Sequence, residues 1–349
     1  MVLATSVGVM EMMMQQVRQW LGANQVNQRA TAQSAWQWLG VCFMCVGLTT
    51  GIVKTAAAAT LAAQIATVPT DLPPLSLSDT AVVSLPDPKT GRSYEVWFSF
   101  PTAYDATKKY PLVLVTDAEY AFPLVRSIRK RLGAGGQNIQ DFLLVGLSYS
   151  KGDSAVVSRN RDYTPIDVLA KGFADGNNYG GTRYGEGAAY SRYVVDVVMP
   201  YLHAKWPIDR TRTVFVGHSF GALLGSQILL QAPTTFTDYV LSSPSFWYGD
   251  REMFKREARY ANTQRDLPAT VWLYAASFEQ AGPTARHAKR ISIVGDAALM
   301  QQRLAARRYP SLKLHNQVID GEDHLSVFPQ MISDALLKIL PGSGPYTPG

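Results

Sequence analysis

From about Ala81 onward the chain alternates between two hydrophobic rhythms. Continuous apolar runs at Pro111–Thr116 and Phe142–Leu147 are of the kind that fill a parallel sheet covered on both faces, whereas Tyr94–Phe100 alternates in polarity and suits a partly exposed strand. Short apolar runs at Val214–Gly217, Tyr239–Ser242, Thr270–Ala276 and Lys313–Ile319 continue the strand series. Between them a helical period is read over Phe122–Leu132, Tyr190–Trp206, Ala222–Gln231, Asp250–Ala261, Asp296–Arg308 and Ser326–Leu340. Strands alternating with helices predict an α/β domain over residues 81–341, a mostly parallel central sheet with helices on both faces, followed by a short tail at 342–349. No Pro/Gly/Ser-rich linker interrupts the series, so one domain is expected. Ser150–Glu186, Gly-rich and charged with little periodicity, reads as a long irregular loop, and loops of that length are more often functional than idle.

The first 63 residues have a different character. Ala35–Val53 is an almost uncharged apolar run, preceded by Arg18 and Arg29 and followed by small residues around Ala56–Ala59 and Ala62–Ala63. That order matches a secretory signal and predicts a periplasmic or secreted protein. The alternative is an uncleaved membrane anchor, since the run is just long enough to span a bilayer. Residues 64–80, rich in Pro and Ser, read as a linker. Both cysteines, Cys42 and Cys45, fall in the leader, which excludes a disulfide framework or a cysteine-ligated metal in the body. N-terminal sequencing of exported protein is expected to begin between about Ala58 and Thr67; recovery of the full-length chain only in membranes would favour the anchor.

Composition narrows the class without naming a function. The 349 residues are 47% hydrophobic and 17% charged, ordinary for a globular protein and wrong for a disordered, collagenous or coiled-coil chain. The net charge of +6 comes from scattered basic residues, so no nucleic-acid partner is expected.

The sharpest chemical signal is Gly217-His218-Ser219-Phe220-Gly221, set between an apolar strand and a helix. In that context G-x-S-x-G is a nucleophile elbow, a strained turn that exposes the serine and demands small neighbours. It makes Ser219 the candidate nucleophile and aims the Phe220 backbone N–H, at a helix N-terminus, toward a developing oxyanion. The serine needs a base, and five histidines compete. His203 precedes the serine, His218 is fixed beside it, His287 lies in a basic connection and His315 sits within the last strand. His324 follows that strand in Gly321-Glu322-Asp323-His324, at the strand edge where α/β proteins bind ligands, and is the candidate base.

From Ser93 to Leu340 the chain resembles the α/β-hydrolase-fold esterases that include esterase D-like enzymes and siderophore trilactone esterases. The resemblance rests on ordered blocks: Tyr110-Pro111 opening a strand that ends at Asp117, Arg159-Asn160-Arg161-Asp162-Tyr163-Thr164-Pro165, the elbow, Ser243-Pro244-Ser245-Phe246-Trp247, and Gly321-Glu322-Asp323-His324. It implies Ser219 as nucleophile, His324 as base, Glu279 as the acid that orients the imidazole, and a second oxyanion donor at the backbone N–H of Ala118 or Glu119. The chain departs from the family pattern at Ala222, where relatives carry a second glycine, and at Ala276-Ser277, where a glycine usually precedes the acid. Asp296, read as a helix N-cap, and Asp320 and Asp323 are competing acids.

Arg159, Arg161 and Arg183, taken as lying around the long loop, are candidates for a cationic rim that grips an anionic substrate; the alternative for the first two is an Arg–carboxylate pair that orders the loop. Trp247, with Phe246 and Tyr248, is a candidate wall for the substrate pocket or part of the aromatic core. No phosphate loop, dinucleotide fingerprint or metal-ligand spacing is present, so no cofactor is expected. The expected activity is serine ester hydrolysis of a small-molecule ester, with siderophore trilactones as the more specific alternative. An acyltransferase using the same acyl-enzyme and a catalytically silent binding protein are the rivals.

Overall fold

The computed structural model describes residues 75–133, 137–172 and 183–344. The proposed leader and both cysteines lie outside the described residues, and among the described residues no helix is long and apolar enough to cross a membrane.

Beyond Ser76 the chain forms an eight-stranded sheet ordered β1-β2-β4-β3-β5-β6-β7-β8. The strands are β1 (Thr80–Pro86), β2 (Ser93–Ser99), β3 (Tyr110–Val115), β4 (Leu143–Ser150), β5 (Ile208–His218), β6 (Asp238–Ser242), β7 (Thr270–Ala276) and β8 (Lys313–Ile319). The β1–β2 and β2–β4 pairs are antiparallel and every other pair is parallel. The helices are α1 (Ala118–Leu132), α2 (Ala155–Tyr163), α3 (Gly187–Tyr193), α4 (Met199–Lys205), α5 (Phe220–Gln231), α6 (Tyr248–Thr263), α7 (Ile293–Arg307) and α8 (Val327–Ile339).

The apolar runs are continuous because alternate strand residues enter two different cores. Leu112, Leu114, Phe215, Leu241 and Leu273 face α2 to α7, whereas Val113, Val115, Val214, Val216 and Val240 face α1 and α8. Helices on both faces leave the central strands no solvent side, as a doubly covered α/β sheet requires.

Three segments differ from the sequence expectation. No element was read over β1, whose first residue fell in the expected linker; it is a largely exposed edge strand with only Val83 and Leu85 packed on the core, paired with β2 from Thr80 opposite Ser99 to Pro86 opposite Ser93. Part of Ser150–Glu186 is helix α2, capped by Ser154, whose hydroxyl accepts from Val157 N–H at 3.3 Å. Its buried residues are Ser158, Asn160, Arg161, Asp162 and Tyr163, so an apolar period was never there to read. The helix expected over Tyr190–Trp206 passes through a π turn at Val194–Val198 just before Pro200, which has no N–H to continue the regular ladder.

The end of the expected linker is held to the domain. Asp79 pairs with Arg126, Arg129 and Lys130 and accepts from Ser99 Oγ at 2.6 Å, while buried Arg129 also donates to the carbonyls of Ser99, Phe100 and Phe142. Burial alone would raise the Asp79 pKa, but hydrogen bonds from Arg126 and Ser99 and the Arg126 charge bring it well below the carboxylate range. A carboxyl depressed in the folded state stabilises above its unfolded pKa and loses that contribution as pH falls through the folded value. Asp79→Asn is therefore expected to cost about 2 kcal/mol at neutral pH by urea unfolding, with the difference from wild type shrinking under strong acid. An equal difference at both pH values would contradict this.

Candidate active site

β5 ends at His218 and α5 begins at Phe220, leaving Ser219 alone in the turn at φ 60°, ψ −116°. The turn closes only because both flanking residues lack a Cβ: one added at Gly217 would lie 2.3 Å from the Gly221 carbonyl oxygen, and one at Gly221 would lie 2.3 Å from Thr116 Oγ1. The strain is held by a neighbouring strand, since Ser219 N–H donates to Ser242 O at 2.9 Å. Ala222 is fully buried in the core.

The other two predicted residues converge on this serine. His324 Nε2 is 3.0 Å from Ser219 Oγ, and His324 Nδ1 is 2.5 Å from Glu279 Oε1. Glu279 is 3% exposed, and its second oxygen accepts from Ser243 Oγ at 2.9 Å and Ala276 N–H at 2.8 Å. A carboxylate only accepts, so the shared proton sits on Nδ1 and the Nε2 lone pair faces the serine hydroxyl. The loops carrying acid and base are laced together: Ser277 N–H donates to Ile319 O, Phe278 N–H to Glu322 O, and Gly321 N–H to Ser277 Oγ. The Ser277 hydroxyl thus has a use that glycine could not serve.

The competing acids lie elsewhere. Asp296 is buried against Arg251 at 2.6 Å, burial raising its pKa while Arg251 opposes the rise. It is not the helix cap; Ser292 is, accepting from Gly295 N–H. Asp323 pairs with Arg286 and accepts from Leu325 and Ser326 N–H, and Asp320 is exposed. Of the other histidines, His315 stacks on Trp272 at 3.8 Å and His287 packs edge-on to Phe278. His203 is half-buried. His218 has a supporting place: its Nδ1 is 3.0 Å from Ser242 Oγ, its ring lies 4.6 Å from that of His324, and it hydrogen-bonds the His324 backbone. Burial, then the His324 and Arg159 charges, lower its pKa far enough to keep it neutral.

Parallel β3 and β5 are neighbours, and the helices that follow them, α1 and α5, cover opposite faces. The two helix N-termini, at Ala118 and Phe220, therefore meet at one edge of the sheet, each with a first-turn N–H that has no intrahelical acceptor. Before Ala118, Asp117 adopts a left-handed conformation at φ 54°, and its own N–H donates to Tyr163 Oη at 3.3 Å.

Two cavities flank the serine and histidine. The larger, about 430 Å³, has apolar walls from Phe220, Trp247, Phe278, Ile291 and Leu325, with Arg286 and Asp323 at its rim. The smaller, about 260 Å³, is lined by Asp117, Tyr120, Tyr149, Arg159, His218 and Phe328. Trp247 lines the larger cavity, whereas Phe246 and Tyr248 are buried in the core. Arg159 reaches the site but is bound to Asp117 Oδ1 at 2.8 Å and donates to His218 O at 3.1 Å. Arg161 does not reach it. It is 5% exposed, bridges Asp153 and Asp162, and with Arg183 lines a separate polar groove. The cause is helix α2: residues two apart on a helix face different ways, so Arg159 and Arg161 cannot share a rim. Asp117, Tyr149, Ser243, Ser245 and Arg286 were not singled out as site residues from sequence; the strand ending at Asp117 and the Ser243–Trp247 block were the pointers to any of them. Among the described residues no group of three or more His, Cys, Asp or Glu side chains is placed to hold a metal ion.

An elbow serine, a histidine and a buried carboxylate in series at the C-terminal edge of a parallel sheet define a serine hydrolase of the α/β-hydrolase class. The family model described as "Putative esterase" matches residues 88–339, and the chain belongs to that family. It is 24% identical over 261 residues to the ferri-bacillibactin esterase BesA of Bacillus subtilis, covering 73% of this chain and 87% of that protein. It is 23% identical over 270 residues to the siderophore triacetylfusarinine C esterase of Aspergillus fumigatus, covering 70% and 88%. The crystal structure of the BES protein from Bacillus cereus superposes with a TM-score of 0.62 at 21% identity, covering 78% of this chain and 98% of that one.

Glu279→Gln is expected to lower kcat on a p-nitrophenyl ester by several orders of magnitude, because an amide can present N–H instead of an acceptor and reverse the imidazole tautomer. Asp296→Asn is expected to leave kcat within about threefold while costing stability through Arg251. The opposite ranking in a steady-state comparison would move the acid to Asp296.

Proposed function

We propose that the protein hydrolyses carboxylic esters through an acyl-enzyme on Ser219, and that its substrate is a siderophore-type ester. The observation that carries the reaction is the series Ser219–His324–Glu279, with contacts of 3.0 and 2.5 Å. Ser219 Oγ attacks the ester carbonyl while His324 Nε2 takes its proton and Glu279 stabilises the imidazolium. The N–H groups of Phe220 and Ala118 receive the oxyanion. The alcohol leaves with the proton from His324; water, deprotonated by the same nitrogen, then releases the acid.

The substrate reading draws on the relatives, which are named as siderophore esterases. Its manner of binding differs from the cationic grip expected from sequence. Arg159 is matched by Asp117 and Arg286 by Asp323, so the cations lining both cavities are already compensated. The substrate is held by shape and apolar contact with Trp247, Phe278 and Ile291 more than by net charge. A periplasmic or secreted address is part of the same proposal and rests on the N-terminal sequence.

The test compares kcat/KM for a short-chain p-nitrophenyl ester and an enterobactin-type trilactone at low and high salt. Wild type should turn over both, with less than about a threefold change between 0.05 and 0.5 M salt on the trilactone, because a compensated mouth exerts little long-range steering. Folded Ser219→Ala should lose on the order of 10⁴-fold or more on both substrates, and a mutant that keeps most activity would refute the mechanism. Inertness of the trilactone alone would remove the siderophore reading and leave the ester hydrolase.

A further inference from the structure

The mechanism above leaves unexplained a second hydroxyl at the nucleophile. Ser245 Oγ lies 3.2 Å from Ser219 Oγ, on a side chain that is 1% exposed. Its segment touches both ends of the relay. In Ser242-Ser243-Pro244-Ser245, which leads from β6 toward α6, Ser242 O accepts from Ser219 N–H and Ser242 Oγ meets His218 Nδ1. Ser243, held left-handed at φ 44°, donates its hydroxyl to Glu279. Ser245 N–H points to Ser219 O at 3.5 Å, and its hydroxyl meets the nucleophile itself.

The direction of that last hydrogen bond follows from proton accounting. Glu279 fixes the proton of neutral His324 on Nδ1, so Nε2 must accept, and the single proton of Ser219 goes to it. The proton between the two serines is therefore the one on Ser245, which donates to a lone pair of Ser219 Oγ. Resting on the acyl-enzyme reading, we propose that Ser245 is a further catalytic residue whose hydroxyl speeds deacylation by stabilising Ser219 Oγ as the leaving group.

Ser219 Oγ passes through three states in the cycle. In the free enzyme Ser219 Oγ is a hydroxyl oxygen and a good acceptor. In the acyl-enzyme it is the alkyl oxygen of an ester, its lone pair drawn into the carbonyl, and the bond from Ser245 is at its weakest. During deacylation, water gives a proton to His324 Nε2 as its oxygen bonds the acyl carbon. The tetrahedral intermediate then collapses: the C–Oγ bond breaks, the electron pair moves to Oγ, and Oγ takes the proton back from Nε2 as the carboxylic acid departs. Charge rises on Oγ as that bond breaks, and the Ser245 O–H is already aimed at it. In acylation the same donor stabilises the starting hydroxyl too, so the gain over the ground state is small. Ser245 therefore lowers the deacylation barrier selectively.

The experiment is stopped-flow and steady-state kinetics of Ser245→Ala on a p-nitrophenyl ester, with intact-mass detection of the acylated chain. Loss of one neutral hydrogen bond should lower kcat about fivefold to tenfold. KM should fall with it, and a burst of p-nitrophenol approaching one per enzyme should appear, with the acylated mass accumulating. Ser245→Cys, nearly the same size with a weaker donor, should show the same pattern at smaller amplitude and guards against a packing defect. Equal falls in kcat and kcat/KM without acyl-enzyme would overturn the proposal and leave Ser245 as a support for the turn. Wild-type values in Ser245→Ala would overturn it outright. Either failure is separate from failure of the ester hydrolase reading, which Ser219→Ala decides.

Discussion

A carboxylate stripped of water must have its lone pairs filled, and Glu279 fills them from three separate strand ends. Ala276 N–H comes from the end of β7, Ser243 Oγ from beyond β6, and His324 Nδ1 from beyond β8. Leaving a buried charge without such donors costs several kcal/mol, so the native arrangement tolerates little displacement of any of the three segments. The parallel pairing of β6, β7 and β8 meets this requirement, because registers such as Ser242 opposite Tyr274 and Ala276 opposite Ile319 bring the strand ends level. The nucleophile joins the same edge through β5, whose His218 lies opposite Ser242.

Charge is treated differently at the mouth than at the acid. Glu279 is paired with a group that must change protonation, whereas Arg159 and Arg286 are paired with fixed carboxylates. Both arginines also lie over aromatic rings, Arg159 over Phe220 and Arg286 over Phe278, so their cations order cavity walls. The walls gain rigidity and surrender attraction for anions.

What could be read from sequence follows where the physics is local. Continuous apolar strands, the two elbow glycines and a histidine just past the last strand are dictated by neighbours a few residues away, and each is found in place. Glu279 was reached through family resemblance, since nothing in its own surroundings marks it above Asp296. Helix α2 was invisible because its buried face is polar; with it went the direction of Arg161, assigned to the rim while the segment was thought a loop. β1 was missed because it is a largely exposed edge whose inward residues, Val83 and Leu85, are too few to stand out. Ser243 and Ser245 stood in a recognised block, but their roles depend on groups 36 and 26 residues away that only the folded sheet brings near.

The lacing of the loops after β7 and β8 bears on how the enzyme fails when heated. Ser277 and Phe278 donate to Ile319 and Glu322 by main-chain bonds, which continue the sheet past its last paired residues. Acid and base thus sit on an extension of the sheet, tied to each other as well as to their own strands. Local opening of either loop must break these main-chain bonds together with the relay. Stabilisation of the β7–β8 end of the sheet is therefore stabilisation of the loops that carry acid and base as well.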